Sequence, residues 1–378
     1  MKHKYLIILL IIISSFCFSQ TAQEEYMKER EQVSEEYKQT RAEAYKEYHL
    51  QQDSLFIQYQ QEIEKYWNEF KESTQEEWVS YNPDFTSRSN VNFEEGVIRI
   101  DAIAKDSQND EEVVNAVVEQ LIAINLEEDE TNNPILKDQV QNPLDKTETI
   151  TETNVKKIAQ DLVKNSKKTI VTGKDGERRT QYSISLNMVP NHIKIRADKY
   201  RSYIEDKCND FDIDPAFVMA IIHTESYFNP KAYNRHGNAY GMMQIVPKYA
   251  GLTMNNVLYK NNRKPTSGEL FDPHKNLKMG ISYMRWLADN KWEKVKGKTN
   301  LYYCIICSYN GGPGTIYKAM TGKMKKIGQE KWDQMFVDLN TMESSELYKL
   351  LRKKVPWEET RKYLKLVMER KEKFYNKL

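Results

Sequence analysis

Apolar and polar positions change rhythm along the chain. Residues 21–74 contain no glycine or proline, and their sparse apolar positions recur at a fixed step. Tyr26, Tyr37, Tyr48, Tyr59 and Phe70 are eleven apart, and Val33, Ala44, Leu55 and Tyr66 repeat that step. Eleven residues make three turns at about 3.67 per turn. The two series therefore merge into one stripe on a nearly straight helix about 75 Å long. Glu–Lys pairs can support a lone charged helix, but an unpartnered aromatic stripe exposes apolar surface. The pattern predicts that the helix of residues 24–70 self-associates or docks on the body of the protein.

From 75 to 190 the rhythm alternates between strand and helix. "SNVNFEEGVIRIDAIA" carries two β-rich runs around Glu94–Glu95–Gly96, a hairpin signal. "DEEVVNAVVEQLIAI" is amphipathic with acids in its first turn, and "TETNVKKIAQDLVKN" is a second helix. "KTIVTGKDGERRTQYSISLNMVP" is another hairpin, turning at Asp175–Gly176. Hairpins flanking helices predict a small α+β domain. It shows no nucleophile–base pair and no metal spacing, which points to binding or positioning. From 191 to 378 the chain reads as helices separated by Pro- and Gly-containing loops. "RADKYRSYIEDKCNDF" is one helix, and Asp214 caps the next with Pro215 in its first turn. The fold class is α+β: a long N-terminal helix, a small α+β domain, and a mainly α-helical domain.

Charge and the first residues add a compartment. "MKHKYLIILLIIISSFCFSQ" places lysines before an apolar run from Leu6 to Ile13, the pattern of a signal peptide over 1–20. Export to the periplasm follows, with outer-membrane association as the open alternative. Cys17 would be the lipid acceptor of a lipoprotein signal, but Phe16 precedes it where a small residue is wanted. The net charge of +1 hides a split. Residues 191–378 hold 34 Lys/Arg against 20 Asp/Glu, net +14, and residues 1–190 are net −13. A basic half implies an anionic partner such as a wall polymer. No zinc-finger or RNA-binding signature accompanies it, so no nucleic-acid partner is expected. Cys208, Cys304 and Cys307 would remain after cleavage, an odd number that makes no disulfide framework. Cys304 and Cys307 lie in an apolar run and read as buried thiols; no metal and no cofactor are implied.

The chemistry starts at "AFVMAIIHTES", residues 216–226. Glu225 follows Val218 by seven, Ile221 by four and Ile222 by three, so it continues the apolar stripe. Burial raises the pKa of a carboxyl, and an acid still protonated near neutral pH can protonate a leaving oxygen. A helix-end glutamate paired to backbone or arginine is the plain alternative. The loop "SYFNPKAYNRHGNAYGMMQIVP" contains no acid, and the next one is Glu269. "SYNGGPG" at 308–314 closes a helix with Asn310 beside two glycines, and Tyr363 lies four after Glu359 in "VPWEETRKYLKLV".

Together "ES" at 225–226, "GMMQ" at 241–244, "SYNGG" at 308–312 and "EETRKY" at 358–363 resemble, in order and approximate spacing, the soluble-lytic-transglycosylase family with its lysozyme-like catalytic fold. "DPHKNLKMGISYM" is similar to that family's central helix. "SRSNVNFEEGVIRIDAIA" and "YSISLNMVPNHIKIRADKY" resemble the N-terminal region and junction of its membrane-bound C type. The resemblance implies cleavage of the β-1,4 bond between N-acetylmuramic acid and N-acetylglucosamine in peptidoglycan glycan strands. Glu225 would act first as acid and then as base while the muramoyl C6 hydroxyl closes a 1,6-anhydro ring. Ser226 would bond to and orient Glu225, and Tyr363 would point its hydroxyl at it. Met243 would wall the acid, or simply pack in the core. Gln244, Tyr309 and Asn310 would bind sugar, as would Glu359 unless it forms a surface ion pair. Tyr240 would offer a stacking face. The chain departs from the family at Asn234, Met242 and Ser308, and in a loop one residue longer before Gly241. A lysozyme-like hydrolase on the same fold and a non-catalytic wall-binding scaffold are the other readings. The stripe generates the first prediction: Tyr37→Glu with Tyr48→Glu should abolish self-association or docking. Unchanged sedimentation and unchanged helix protection in hydrogen exchange would leave a lone helix.

Overall fold

A computed structural model of the protein describes residues 54–105, 110–146, 148–151, 153–324 and 328–376. The signal segment, Cys17 and the stripe residues up to Tyr48 lie outside them. The chain divides after Phe70 into two compact units.

In the first unit residues 54–66 are helical (α1). The helix expected to continue to 74 stops there. The Phe70 ring lies edge-on to Phe56 at 5.7 Å and to Tyr59 at 6.2 Å. In a continuous helix residues 56 and 70 would be about 21 Å apart. Phe70 rejoins the aromatic stripe by folding back onto it, and the edge-to-face contacts replace the last helical turns.

The second unit begins with an antiparallel sheet: β1 Glu77–Tyr81, β2 Ser87–Asn92 and β3 Val97–Ala104. Helices α2 (Asp110–Leu126) and α3 (Val155–Lys164) follow, then β4 Lys167–Thr172 and β5 Arg178–Asn187. The strand order is β1-β2-β3-β5-β4. Both expected hairpins form. Gly96 and Gly176 turn them with φ of +67° and +79°, conformations that glycine adopts without steric cost. β3 pairs with β5 across the two helices, Ile98 opposite Leu186 and Ile100 opposite Ile184. Val91, Phe93, Ile100, Val117, Leu121, Ile158 and Tyr182 form a core between sheet and helices.

Helices then continue to the end: α4 His192–Phe211 and α5 Pro215–Glu225, then a two-stranded ribbon, β6 Tyr233–Asn234 and β7 Ala239–Tyr240. They resume with α6 Leu252–Tyr259, α7 Ser267–Phe271, α8 Pro273–Lys291 and α9 Lys298–Gly311. The last are α10 Gly314–Thr321, α11 Gln329–Thr341, α12 Ser344–Lys354 and α13 Glu358–Arg370. Asp214 caps α5 by accepting from the Ala216 amide, with Pro215 in the first turn. Every α5 side chain from Ala216 to His223 is buried, as befits a helix apolar on all sides. It packs against α4 and α13 in a second core that also holds Cys208, Cys304 and Cys307 as free thiols.

One side chain ties the two cores. Arg196 on α4 is 1 % exposed. It donates to the Phe93 carbonyl at 2.9 Å, Gln139 Oε1 at 2.7 Å, the Tyr227 carbonyl at 3.0 Å and His192 Nδ1 at 3.2 Å. Among the described residues it has no carboxylate partner, and burial brings its pKa down to about 9. Its acceptors come from the β2–β3 turn, the segment after α2, α4 itself and the chain leaving α5. Arg196→Met should destabilise the protein by about 3 kcal/mol, because buried acceptors lose charged donors. An unchanged urea midpoint would show that the cost of burying the charge cancels its bonds.

Candidate active site

Glu225 is the last residue of α5 and is 8 % exposed. The chain then turns sharply, with Tyr227 and Phe228 both left-handed at φ of +53° and +60°. Two consecutive non-glycine residues in that region carry strain. Burial of the Tyr227 ring in the sheet-side core and of Phe228 in the helical core holds them there. Arg370 of α13 adds bonds to the His223 carbonyl at 2.5 Å and the Tyr227 hydroxyl at 2.9 Å.

The Glu225 carboxyl meets Tyr363, whose hydroxyl donates to Oε1 at 2.7 Å. Burial pushes the Glu225 pKa up to about 8; the Tyr363 bond opposes this and the charge of Glu359 adds to it. Its place at a helix C-terminus, the negative end of the helix dipole, disfavours the carboxylate further. Glu225 is therefore an acid that holds its proton at neutral pH. Glu269, the next acid in sequence, is different. It closes a capping box with Thr266 and pairs with Arg263 and Lys275, and the Arg263 bond leads the effects that hold its pKa far below the usual range.

The loop after the β6–β7 ribbon brings "GMMQ" alongside. Gly241 has φ of +71°, and a Cβ there would stand 2.4 Å from Asn276 Nδ2 and the Leu270 carbonyl. Asn276 is fully buried in α8 and pins this loop. It accepts from the Met243 amide and donates to the Tyr240 and Leu270 carbonyls, each at 2.8 Å. Met243 is completely buried, and its sulfur seats against bare backbone at Gly280, where a Cβ would lie 2.2 Å from it. Gln244, at φ of +46°, donates to the Gly241 and Ala232 carbonyls, and its buried Oε1 has no partner among the described residues.

A cavity of about 400 Å³ runs between this loop, Tyr283 of α8 and the end of α9, lined by Gln244, Tyr249, Tyr283, Tyr309 and Asn310. Tyr309 donates to the Met243 carbonyl at 2.8 Å. Burial raises its pKa, and the charge of Glu225 raises it further. Asn310 donates to Glu359 at 3.3 Å and accepts from Thr360 at 2.6 Å. Gly311 lets α9 approach α13, since a Cβ would fall 2.6 Å from Thr360 Oγ1.

The geometry thus links Glu225 to Tyr363, Tyr309 to Met243 and Asn310 to Glu359, and sets Gln244, Tyr309 and Asn310 around one cavity. One expectation needs correction. Ser226 does not bond to Glu225: its hydroxyl lies 2.8 Å from the Met242 carbonyl and 3.3 Å from that of Ile222. It is fully buried, and a hydroxyl facing two carbonyls spends its proton on the loop. Tyr240 does not line the cavity. Its ring packs on Tyr233 and Phe271, and its hydroxyl bonds to Asn238. Sequence reasoning missed Asn276, Gly280 and Tyr283. An asparagine and a glycine on the apolar face of α8 were the available signal.

A family model described as "Transglycosylase SLT domain" matches residues 202–331. Another, "Membrane-bound lytic murein transglycosylase C, N-terminal domain", matches residues 44–199. The membrane-bound lytic murein transglycosylase C of Shigella sonnei is 30% identical over 299 residues, 76% of this chain and 78% of that protein. That of Actinobacillus succinogenes is 29% identical over 294 residues, with the same coverage. Among solved structures, the 70 kDa soluble lytic transglycosylase of Escherichia coli is similar at 23% identity and a TM-score of 0.34. The match covers 46% of this chain and 23% of that one.

Stability should report the Glu225 proton. Its folded pKa lies above the ordinary 4.5, so the unfolded chain loses this proton first as pH rises. The wild type therefore loses stability between pH 4.5 and about 8, by up to about 1.4 kcal/mol per pH unit. Glu225→Gln has no such loss. The Tm difference favouring Glu225→Gln should widen through that window and then level off. A pH-independent difference would mean that the carboxyl is ionised in the folded state.

Proposed function

The chain belongs to the membrane-bound lytic murein transglycosylase C family, and from that premise we propose that Glu225 cleaves the β-1,4 bond of the glycan strand without water. The protein is a peptidoglycan lytic transglycosylase. The observation that carries the proposed route is the protonated, buried Glu225 held by Tyr363. Glu225 gives its proton to the glycosidic oxygen as the bond from muramoyl C1 breaks. The N-acetylglucosamine side leaves as an alcohol, and positive charge develops at C1. The muramoyl C6 hydroxyl attacks C1 and returns its proton to Glu225, closing a 1,6-anhydro ring. Acid and base are one residue, so the site is reset when the ring closes.

The other side chains support this cycle. Tyr363 fixes the carboxyl through a bond to the oxygen it touches. Met243 walls the acid with a thioether that offers no competing proton. Gln244, Asn310 and Glu359 hold sugar hydroxyl and acetamido groups, and Tyr309 contributes its ring, its hydroxyl being engaged with Met243. Ser226 acts through the loop that carries Met242 and Met243. The net charge of +14 over residues 191–378 suits an anionic wall polymer. The leader expected at 1–20 fits an exported protein working in the periplasm on wall turnover; association with the outer membrane stays an open alternative.

Products decide between this route and hydrolysis, for which Glu359 would supply the second carboxylate. Wild-type digestion of purified sacculi should release muropeptides ending in 1,6-anhydro-N-acetylmuramic acid, each one water lighter than a hydrolysis product. Reducible muramic ends would establish a muramidase instead, and binding without release would establish a scaffold. Glu225→Gln should lower turnover by at least about 10²–10⁴-fold. Cutting at the wild-type rate would remove Glu225 from the mechanism.

A further inference from the structure

We propose that Tyr249 is a glycan-binding residue that stacks on the face of a pyranose ring at the lip of the cavity lined by Gln244, Tyr309 and Asn310. The inference rests on the reading that this cavity carries a glycan strand. Tyr249 is 65 % exposed, more than any other large apolar side chain among the described residues. It also lines the cavity, so the exposed ring stands where the cavity meets solvent.

The ring is presented from a fixed backbone. Residues Pro247–Gly251 form a single wide helical turn, with the Gly251 amide bonded to the Val246 carbonyl at 3.1 Å. Such turns recur at functional sites, where they redirect one side chain. Pro247, Ala250 and Gly251 are buried. A Cβ at Gly251 would lie 2.9 Å from Pro265, so this turn sits hard against its neighbour. Tyr249 is thus the apolar residue of a packed turn that points outward. A tyrosine needs only two torsions ordered to offer a broad apolar face, and the C–H face of a pyranose is its complement. Tyr283 and Tyr309 supply aromatic walls deeper in the same cavity.

Lys248 adds a charge beside that ring. Its ammonium lies 5.9 Å from the Tyr249 ring centre and has no carboxylate partner among the described residues. A cation beside a stacking ring favours a glycan that carries carboxylates over a neutral one.

The test uses full-length protein carrying Glu225→Gln, so that ligand is bound and not cut. The probes are soluble uncrosslinked glycan strands and neutral oligomers of N-acetylglucosamine. Adding Tyr249→Ala should weaken both by about tenfold, the effect of uncovering about 50 Å² of apolar ring, while Tyr249→Phe retains affinity. Lys248→Ala should weaken only the carboxylate-bearing strands, and less so at high salt. In the active enzyme Tyr249→Ala should raise KM by a similar factor with kcat little changed. Equal affinity of the Tyr249→Ala protein, or a loss of binding in Tyr249→Phe as large as in Tyr249→Ala, would overturn the stacking role. A wild type that binds strands but yields no anhydro ends would instead overturn the proposed reaction, and the Tyr249 binding series would still read.

Discussion

The site depends on one buried guanidinium. Arg196 bonds to the carbonyl of Tyr227, two residues past Glu225, and to the Phe93 carbonyl on the β2–β3 turn. These bonds hold the exit from α5 in a left-handed conformation that its residues would otherwise avoid. A straight continuation of α5 would carry Ser226 and Tyr227 onward as helix and remove the loop that bears Met243 and Gln244. The sheet-side core thus helps to position Glu225. It anchors the Tyr227 ring while the helical core anchors Phe228, and the loop between has no slack.

The electrostatics follow from that placement. At the end of a buried helix Glu225 has, among the described residues, only Tyr363 to stabilise its charge, and one hydrogen bond does not offset the loss of water. His223, two residues before it, and Glu269, the next acid in sequence, are held in other states. His223 is kept uncharged, its pKa pushed down to about 3 by burial and then by Arg370. Glu269 is consumed by its own capping box and two cations.

Local rules made much of this legible. Gly96 and Gly176 announce turns, Asp214 and Pro215 announce the start of α5, and the spacing of Val218, Ile221 and Ile222 puts Glu225 on the buried face. The resemblance in motif order supplied Tyr363, Asn310 and Gln244, which lie far from Glu225 in sequence. What failed to show was set by tertiary contact. β1 has too few residues to declare a period. The arrest of α1 at residue 66 depends on where Phe70 finds aromatic partners. Ser226 took the nearest backbone carbonyls in place of the expected carboxyl. Asn276 and Gly280 matter only because a distant loop lands on them.

The three thiols at Cys208, Cys304 and Cys307 have a consequence of another kind. All are buried, and burial pushes the Cys208 and Cys307 pKa values up to about 12 and that of Cys304 well above its ordinary value. Folded protein therefore offers an oxidant almost no thiolate, even in an oxidising compartment. The hazard is confined to the time before the helical core closes, when the nascent chain can mispair its cysteines. Maturation becomes a race between core assembly and oxidation, and a chain that wins it needs no isomerase afterwards. The same burial makes the thiols a built-in clock, because the rate at which they become reactive reports how often the core opens.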